Sequence, residues 1–337
     1  MKVLVTGGLG YPGAHLCLQM LQQGVDVVAL DQWSDSSRIQ LQGLQRLLGR
    51  RLRLVEGQSS DPDVVRRLLA SERIQAVVHL EQPAWFEKTH DEPSLQITQA
   101  LEPMACLLNE MDNAGVFQLH VASSAHVYGS PPSSTPIRES APTRPDDPSG
   151  VLHLMIEELL NGLPRADRRW TVGVYRLFGI GGCHPSALLS PMAPGDPGQF
   201  LNRACLAAAN GTPAETNSQL PTEDGSPVRD LIHVDDAAAA LLAGILCMDT
   251  YGDSFTVNIG TGKGVSELQT LDAVRQTAGR HVAWLPCMAS SATPAWQVAD
   301  MAYATEVLGW RAQRSLNDIC RTAWAWFDMN RARLQAV

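Results

Sequence analysis

The sequence has little from which a disulfide scaffold, a membrane span or a nucleic-acid surface could be built. Its seven cysteines, at 17, 106, 183, 205, 247, 287 and 320, are odd in number, scattered and without any C-x-x-C pair. That pattern excludes a cysteine-built metal site and predicts a reducing, cytoplasmic setting. No apolar run approaches the roughly 18 residues a spanning helix needs. No block of Lys and Arg occurs and the net charge is -9, so neither nucleic acid nor an anionic membrane is expected as a partner. Met1-Lys2 leads straight into an apolar strand, which predicts the absence of a signal peptide. No metal-ligand spacing and no internal repeat appear. The 337 residues, 45% hydrophobic and 18% charged, read as globular. The chain is too long for one simple domain, so a nucleotide-binding domain with a smaller partner is the natural expectation.

What is present begins at the first strand. Val3-Leu4-Val5 runs into Thr6-Gly7-Gly8-Leu9-Gly10-Tyr11-Pro12-Gly13 and then into an amphipathic segment carrying Leu16, Met20 and Leu21. A second strand, Val25 to Leu30, ends at Asp31. Glycines at a strand-to-helix turn let the backbone approach a pyrophosphate, the helix N-terminus faces its charge, and an acid about 20 residues on can bind ribose hydroxyls. Gly7, Gly10, Gly13 and Asp31, with Tyr11 between them, are therefore the expected cofactor-binding set. A purely structural glycine turn is the alternative.

Strand-like and helix-like segments then alternate. Leu52–Val55, Ala76–Leu80 and Phe117–Val121 each follow a helical stretch, and Thr171–Arg176 follows the helix around Leu152 to Leu163. This alternation predicts an α/β fold: a Rossmann-type doubly wound parallel sheet with a smaller substrate-binding domain. Residues 1–178 are assigned to the dinucleotide-binding domain and 179–337 mainly to the substrate domain, with some segments returning to the first. The stretch 179–229 is rich in Gly, Pro, Ser and Asn and reads as loops. The smaller domain is expected mainly from 179–229 and 250–310. Helices are expected at 235–247 and 265–279. Residues 95–113 have helical spacing (Ile97, Leu101, Ala105, Leu108), but Pro103 predicts a kink or restart.

Longer motifs carry a resemblance. Val5-Thr6-Gly7-Gly8 with Gly10-Tyr11, Ala122 through Gly129, Arg176-Leu177-Phe178, Gly182 through Ser186, and Pro221-Thr222-Glu223-Asp224-Gly225 running into Val228 through Val234 are similar to the UDP-galactose 4-epimerases. These belong to the extended short-chain dehydrogenase/reductase group, the NAD-dependent epimerase/dehydratase family. The similarity runs nearly end to end. It implies NAD as cofactor, a nucleotide sugar or other small molecule as ligand, and a homodimer joined by helices that here fall near 95–113 and 149–163. It also implies a tyrosine that moves the sugar hydroxyl proton, a lysine four residues on that depresses the phenol's pKa, and a helping serine.

The catalytic stretch departs from that pattern. Pro148-Ser149-Gly150-Val151-Leu152-His153 matches Pro-Tyr-Gly-Lys-Ser-Lys, so Ser149 takes the tyrosine's place and His153 the lysine's, while Ser124 retains the serine's. An aliphatic hydroxyl is a poorer acid than a phenol, and histidine is mostly neutral near pH 7. Loss of such a relay removes roughly 100- to 10,000-fold in rate. Pro12 deletes a backbone N–H near the pyrophosphate, Gln58 replaces an adenine-binding acid, and Glu81-Gln82-Pro83 replaces a small Ala-Gly stretch, so weak or absent NAD binding is expected. Arg229 is the substrate-binding residue that remains, for a diphosphate or ribose or else in an ion pair with Asp230 or another acid. Gly179 stands for an asparagine, and Met288 through Ala292 lack the arginine-rich clamp.

The same stretch of sequence admits other chemistry. Ser149 and His153 could form a nucleophile pair oriented by Asp146 or Asp147, although no oxyanion device is evident. His126 could serve as an alternative base or be a solvent-facing or core histidine. Cys183-His184 resembles a dyad only by adjacency. Two function classes follow: an epimerase/dehydratase-like enzyme with altered chemistry, or a catalytically inactive homologue, a pseudoenzyme that binds a ligand or a protein.

Overall fold

The computed structural model describes residues 1–81, 93–131, 134–189, 191, 200–287 and 293–331. In chain order the strands are β1 (Lys2–Thr6), β2 (Asp26–Asp31), β3 (Arg53–Glu56), β4 (Ala76–His79), β5 (Gln118–Ser124), β6 (Thr171–Leu177), β7 (Gly179–Gly181), β8 (Ala214–Asn217), β9 (Val228–His233), β10 (Phe255–Ile259), β11 (Gly264–Ser266), β12 (Trp284–Cys287) and β13 (Trp296–Gln297). The helices are α1 (Tyr11–Gln22), α2 (Asp35–Leu48), α3 (Pro62–Ser71), α4 (Pro93–Ala114), α5 (Pro148–Ala166), α6 (Phe200–Asn210), α7 (Val234–Tyr251), α8 (Glu267–Ala278), α9 (Ala302–Leu308) and α10 (Leu316–Met329).

Seven strands form one parallel sheet in the order β10-β6-β5-β4-β1-β2-β3. Val3, Leu4 and Val5 are fully buried because both faces of the sheet are covered. That is why the central strands read as continuous apolar runs rather than as alternation. One face packs on α1, α7 and α9, the other on α3, α4 and α5. The strand order reverses between β1 and β4, and the crevice beyond their carboxyl ends is where open α/β sheets take ligands. A separate core, built from α6, α8 and α10 with Leu231 of β9, stands over that end.

Three sequence expectations meet the structure with different outcomes. The stretch 179–229 is not only loop, because it contains β7, α6, β8 and the start of β9. Helix α6 buries Leu201, Ala204, Cys205 and Ala208, a three-to-four residue spacing that the flanking Gly and Pro obscured. Residues 250–310 do not lie wholly outside the main sheet: Phe255–Ile259 is its edge strand, paired with β6. Helix α4 runs through Pro103 without restarting. Proline deprives the Gln99 carbonyl of its partner, and Gln99 is exposed, so water can replace the lost bond.

Candidate functional site

The glycine loop sits at the switch point. Gly7 has φ +68°, and a Cβ there would lie 2.7 Å from the Glu81 backbone nitrogen, so only glycine lets the β1 and β4 ends approach. A Cβ on Gly13 would overlap the Gly7 carbonyl and lie 3.0 Å from Gly8 Cα, which fixes α1 against the turn. Gly10 caps α1 without a side chain, and no acid occupies the first turn. The positive end of the helix thus meets no side-chain acceptor. Asp31 closes the opposite side, its carboxylate accepting from the Leu9 N–H (2.7 Å) and the Gln32 N–H (2.8 Å). This combination of close backbone, uncapped helix start and adjacent acid fits a dinucleotide's pyrophosphate and ribose.

Other residues erode that fit. Burial first, and then the charge of Glu81, push the Asp31 carboxyl upward despite its two N–H bonds. Glu81 hydrogen-bonds the Ser59 hydroxyl, so an extra carboxylate stands beside the anion's place. Gln58 donates to the Gln32 side chain at 3.0 Å. Gln82 and Pro83 lie outside the described residues. Tyr11 donates its hydroxyl to the Gly182 carbonyl and packs edge-on to His15, with ring centroids 5.8 Å apart. Its phenol, pushed up by burial, is committed to tying the glycine turn to the chain after β7.

A cavity of about 250 Å³ opens beside the carboxyl end of β5, lined among others by Ser124, His126, Phe178, Arg203, Arg229 and Glu267. Arg229, on β9, donates to the Val228 carbonyl at 3.0 Å, and burial lowers its pKa while the Glu267 charge opposes that. The expected pairing with Asp230 does not form. Asp230 instead accepts from the backbone N–H groups of Thr261 (2.8 Å), Gly262 (2.9 Å) and Ala299 (3.2 Å). Arg229 therefore presents charge to the cavity, as a diphosphate ligand needs. Arg203 and Glu267 were not singled out in the sequence: their chemistry shows only when α6 and α8 fold over β9. Met288 through Ala292 lie outside the described residues.

Ser149 and His153, expected at the family's tyrosine and lysine positions, both lie on α5. Ser149, in the first turn of α5, is buried. Among the described residues its hydroxyl has no hydrogen-bond partner and does not bond to His153. Burial pushes His153 down to about 4, so its ring is neutral at pH 7 and cannot lower a neighbour's pKa by charge. Among the described residues Ser149 and His153 form no nucleophile dyad. Cys183 donates its thiol to the Thr322 carbonyl at 2.8 Å and burial raises its pKa, while His184 bonds Ser186 at 2.8 Å, so that adjacent pair is no dyad either. Asp147 caps α5 by accepting from the Gly150 N–H (2.9 Å) and also bonds His126 Nδ1 (2.9 Å).

Beneath Ser124 lies a charged network that sequence reasoning missed. Arg176 Nη2 and Glu157 Oε2, both buried, are 2.6 Å apart. Glu157 also accepts from Ser123, while Arg176 donates to the Tyr128 hydroxyl (2.8 Å) and the Glu139 carbonyl (3.1 Å). It clamps β5, β6 and α5 together and so fixes the wall that carries Ser124 and His126.

The sheet order, glycine turn and adjoining cavity are those of a Rossmann-type protein of the extended short-chain dehydrogenase/reductase class. The chain belongs to the NAD dependent epimerase/dehydratase family, whose profile matches residues 3–260. It is 31% identical to a UDP-glucose 4-epimerase of Neisseria meningitidis serogroup C over 331 residues, 98% of each chain. It is 32% identical to the UDP-glucose 4-epimerase of Bacillus subtilis over 334 residues, again 98% of each. A crystal structure of UDP-glucose-4-epimerase from Stenotrophomonas maltophila with bound NAD and formylated UDP-arabinopyranose superposes with a TM-score of 0.94 at 32% identity, covering 100% of both chains. The Bifidobacterium longum enzyme in complex with NAD+ and UDP gives 0.89 at 28%, over 98% of this chain and 99% of that one. This protein is thus UDP-hexose 4-epimerase-like. Among the described residues no helix is long and apolar enough to cross a membrane.

Proposed function

We propose that this protein binds an NAD-type dinucleotide at the glycine loop and a nucleotide sugar in the adjoining cavity, and that its chemistry has departed from the family's tyrosine–lysine relay. One observation carries the reading: a retained Ser124 and Arg229 frame the cavity while Ser149 lacks a partner and His153 is neutral. Gly7, Gly10, Gly13 and Asp31 would hold the dinucleotide, which supplies hydride transfer when bound. Tyr11 supports that loop rather than contacting ligand through its hydroxyl. Arg229 would meet the diphosphate. On this reading residues 1–178 serve the dinucleotide and 179–337 mainly the sugar nucleotide.

The missing N–H at Pro12 and the Glu81 carboxylate weaken the dinucleotide site. A few lost hydrogen bonds at about 0.5–1.5 kcal/mol each correspond to roughly one to three orders of magnitude in affinity. The same erosion favours the second reading, a catalytically inactive homologue that still binds ligand. A homodimer is part of the proposal: Val151, Met155 and Leu159 stand 43%, 43% and 58% exposed along one stripe of α5, and Ile97 of α4 is 44% exposed. Four-residue spacing of apolar groups left to solvent suits a second copy of the same helices. The free cysteines suit a reducing cytoplasm.

The test is to denature the purified protein and assay released NAD(H), then titrate NAD and UDP by calorimetry and assay conversion of UDP-galactose to UDP-glucose. Weak dinucleotide binding, measurable UDP binding and no rapid interconversion are expected. Robust interconversion by the wild-type protein would overturn the altered-chemistry reading, and submicromolar NAD binding would overturn the eroded site.

A further inference from the structure

We propose that His126, oriented by Asp147, is the proton-accepting group of the cavity, taking the proton of a sugar hydroxyl at Nε2 in the role the absent tyrosine has lost. The inference rests on the reading that the cavity receives a nucleotide sugar, and deepens it.

His126 lies in the one-turn 3-10 segment 125–128 that follows β5 directly, where Ser124 Oγ accepts the His126 backbone N–H at 3.2 Å. Its ring lines the same cavity as Ser124 and Arg229, and it is the one histidine among the described lining residues. Nδ1 is 2.9 Å from Asp147 Oδ2, while 54% of the side chain stays exposed. The Asp147 carboxyl is held below its ordinary range against desolvation by His126 and by the Gly150 and Ser149 N–H groups. An ionised carboxylate only accepts, so in the neutral ring Nδ1 carries the hydrogen and Nε2 the lone pair. Asp147 is itself anchored as the cap of α5, so the ring direction is set by a rigid element rather than by a loop. Among the described residues the charged and titratable groups around the ring are Asp147 and His153 from the α5 side and Arg203, Arg229 and Glu267 across the cavity.

Neither of the residues that replace the family pair offers this. Among the described residues the Ser149 hydroxyl has no acceptor to take its proton, and burial of His153 makes its ring reluctant to hold one. The step balances with the dinucleotide as oxidant. The hydroxyl O–H breaks, the proton goes to Nε2 and the carbonyl forms as the carbon's hydrogen leaves as hydride to the oxidised nicotinamide. The reverse step returns both. His126 would be the catalytic residue and Asp147 a positioning residue.

The experiment compares the wild-type chain with His126→Gln and Asp147→Asn, the latter keeping a side-chain cap on α5. Nitrogen-15 histidine NMR should give the Nδ1–H tautomer for wild-type His126 and a mixture in Asp147→Asn. Carbethoxylation by diethyl pyrocarbonate, mapped by mass spectrometry, should be suppressed at His126 by UDP-glucose but not by UDP, because only the sugar covers Nε2. With NAD added, single-turnover formation of NADH from UDP-glucose should fall about 100-fold in His126→Gln. If UDP and UDP-glucose both bind yet leave His126 equally reactive, or if the Nε2–H tautomer dominates, the His126 proposal fails and the ligand reading stands. If neither ligand binds, both fail. Unfolding midpoints equal to wild type exclude misfolding as the cause of any loss.

Discussion

The histidines inside the sheet make stability depend on pH in a window set by the fold. His120, on β5, is 0% exposed and His79, at the end of β4, is 7% exposed. His79 Nδ1 lies 2.7 Å from the Thr6 hydroxyl and His120 Nδ1 lies 2.9 Å from the Tyr175 hydroxyl, and no carboxylate faces either ring among the described residues. Burial alone pushes His79 down to about 4 and His120 to about 3. In the unfolded chain both titrate near 6.5. A group depressed on folding contributes stability that is fully present above pH 6.5 and is lost as pH falls toward the folded value. Each pH step in that window costs about 1.4 kcal/mol per histidine, hence about 2 kcal/mol for each of these two by pH 5. A domain of ordinary stability has roughly 5–15 kcal/mol in total, so the loss is large. Urea unfolding at pH 7, 6 and 5, followed by tryptophan fluorescence and circular dichroism together, should show the midpoint falling steeply with an unchanged m-value. His120→Gln, whatever its cost at pH 7, should lose about 2 kcal/mol less between pH 7 and 5. A flat midpoint across this range, or the same slope in His120→Gln, would refute the reasoning.

Three further outcomes are expected. Gly13→Ala forces the turn away from the Gly7 carbonyl, and overpacking of this kind costs about 1–3 kcal/mol; thermal unfolding should record it together with a loss of NAD binding, whereas an unchanged NAD isotherm would contradict the loop's assignment. Glu157→Ala leaves Arg176 buried and uncompensated, at a cost of about 3–5 kcal/mol in urea unfolding, and a variant as stable as wild type would show that the clamp contributes nothing. If, as proposed, the dinucleotide site is also weakened, Ser149→Tyr with His153→Lys should raise UDP-galactose conversion only slightly; a gain of about 1,000-fold would mean that the relay alone was missing.

Much of the parallel-sheet half was legible because its signals are local. A glycine turn between an apolar strand and an amphipathic helix leaves few conformations open, and Asp31 at the end of β2 falls beside the turn since β1 and β2 are neighbours in both sequence and sheet. That Ser149 and His153 share one helix was likewise legible from their spacing. Helix α6 was obscured by its Gly- and Pro-rich flanks, and the seventh strand by distance: β10 is separated from its partner β6 by residues 178–254.

What only the tertiary structure decided are contacts between residues far apart in the chain. Asp147 could be suspected as an orienter of His153, but its partner is His126, because the α5 cap docks on the turn after β5. Arg229 next to Asp230 suggested an ion pair, yet alternation along β9 sends the two side chains to opposite faces, one to the cavity and one to backbone N–H groups. Residue types and local periodicity determined which elements form and which family the chain resembles. Which charges meet, which histidines lose their protons and which face the cavity depended on burial and long-range packing, since desolvation and Coulomb interactions act through space rather than along the sequence.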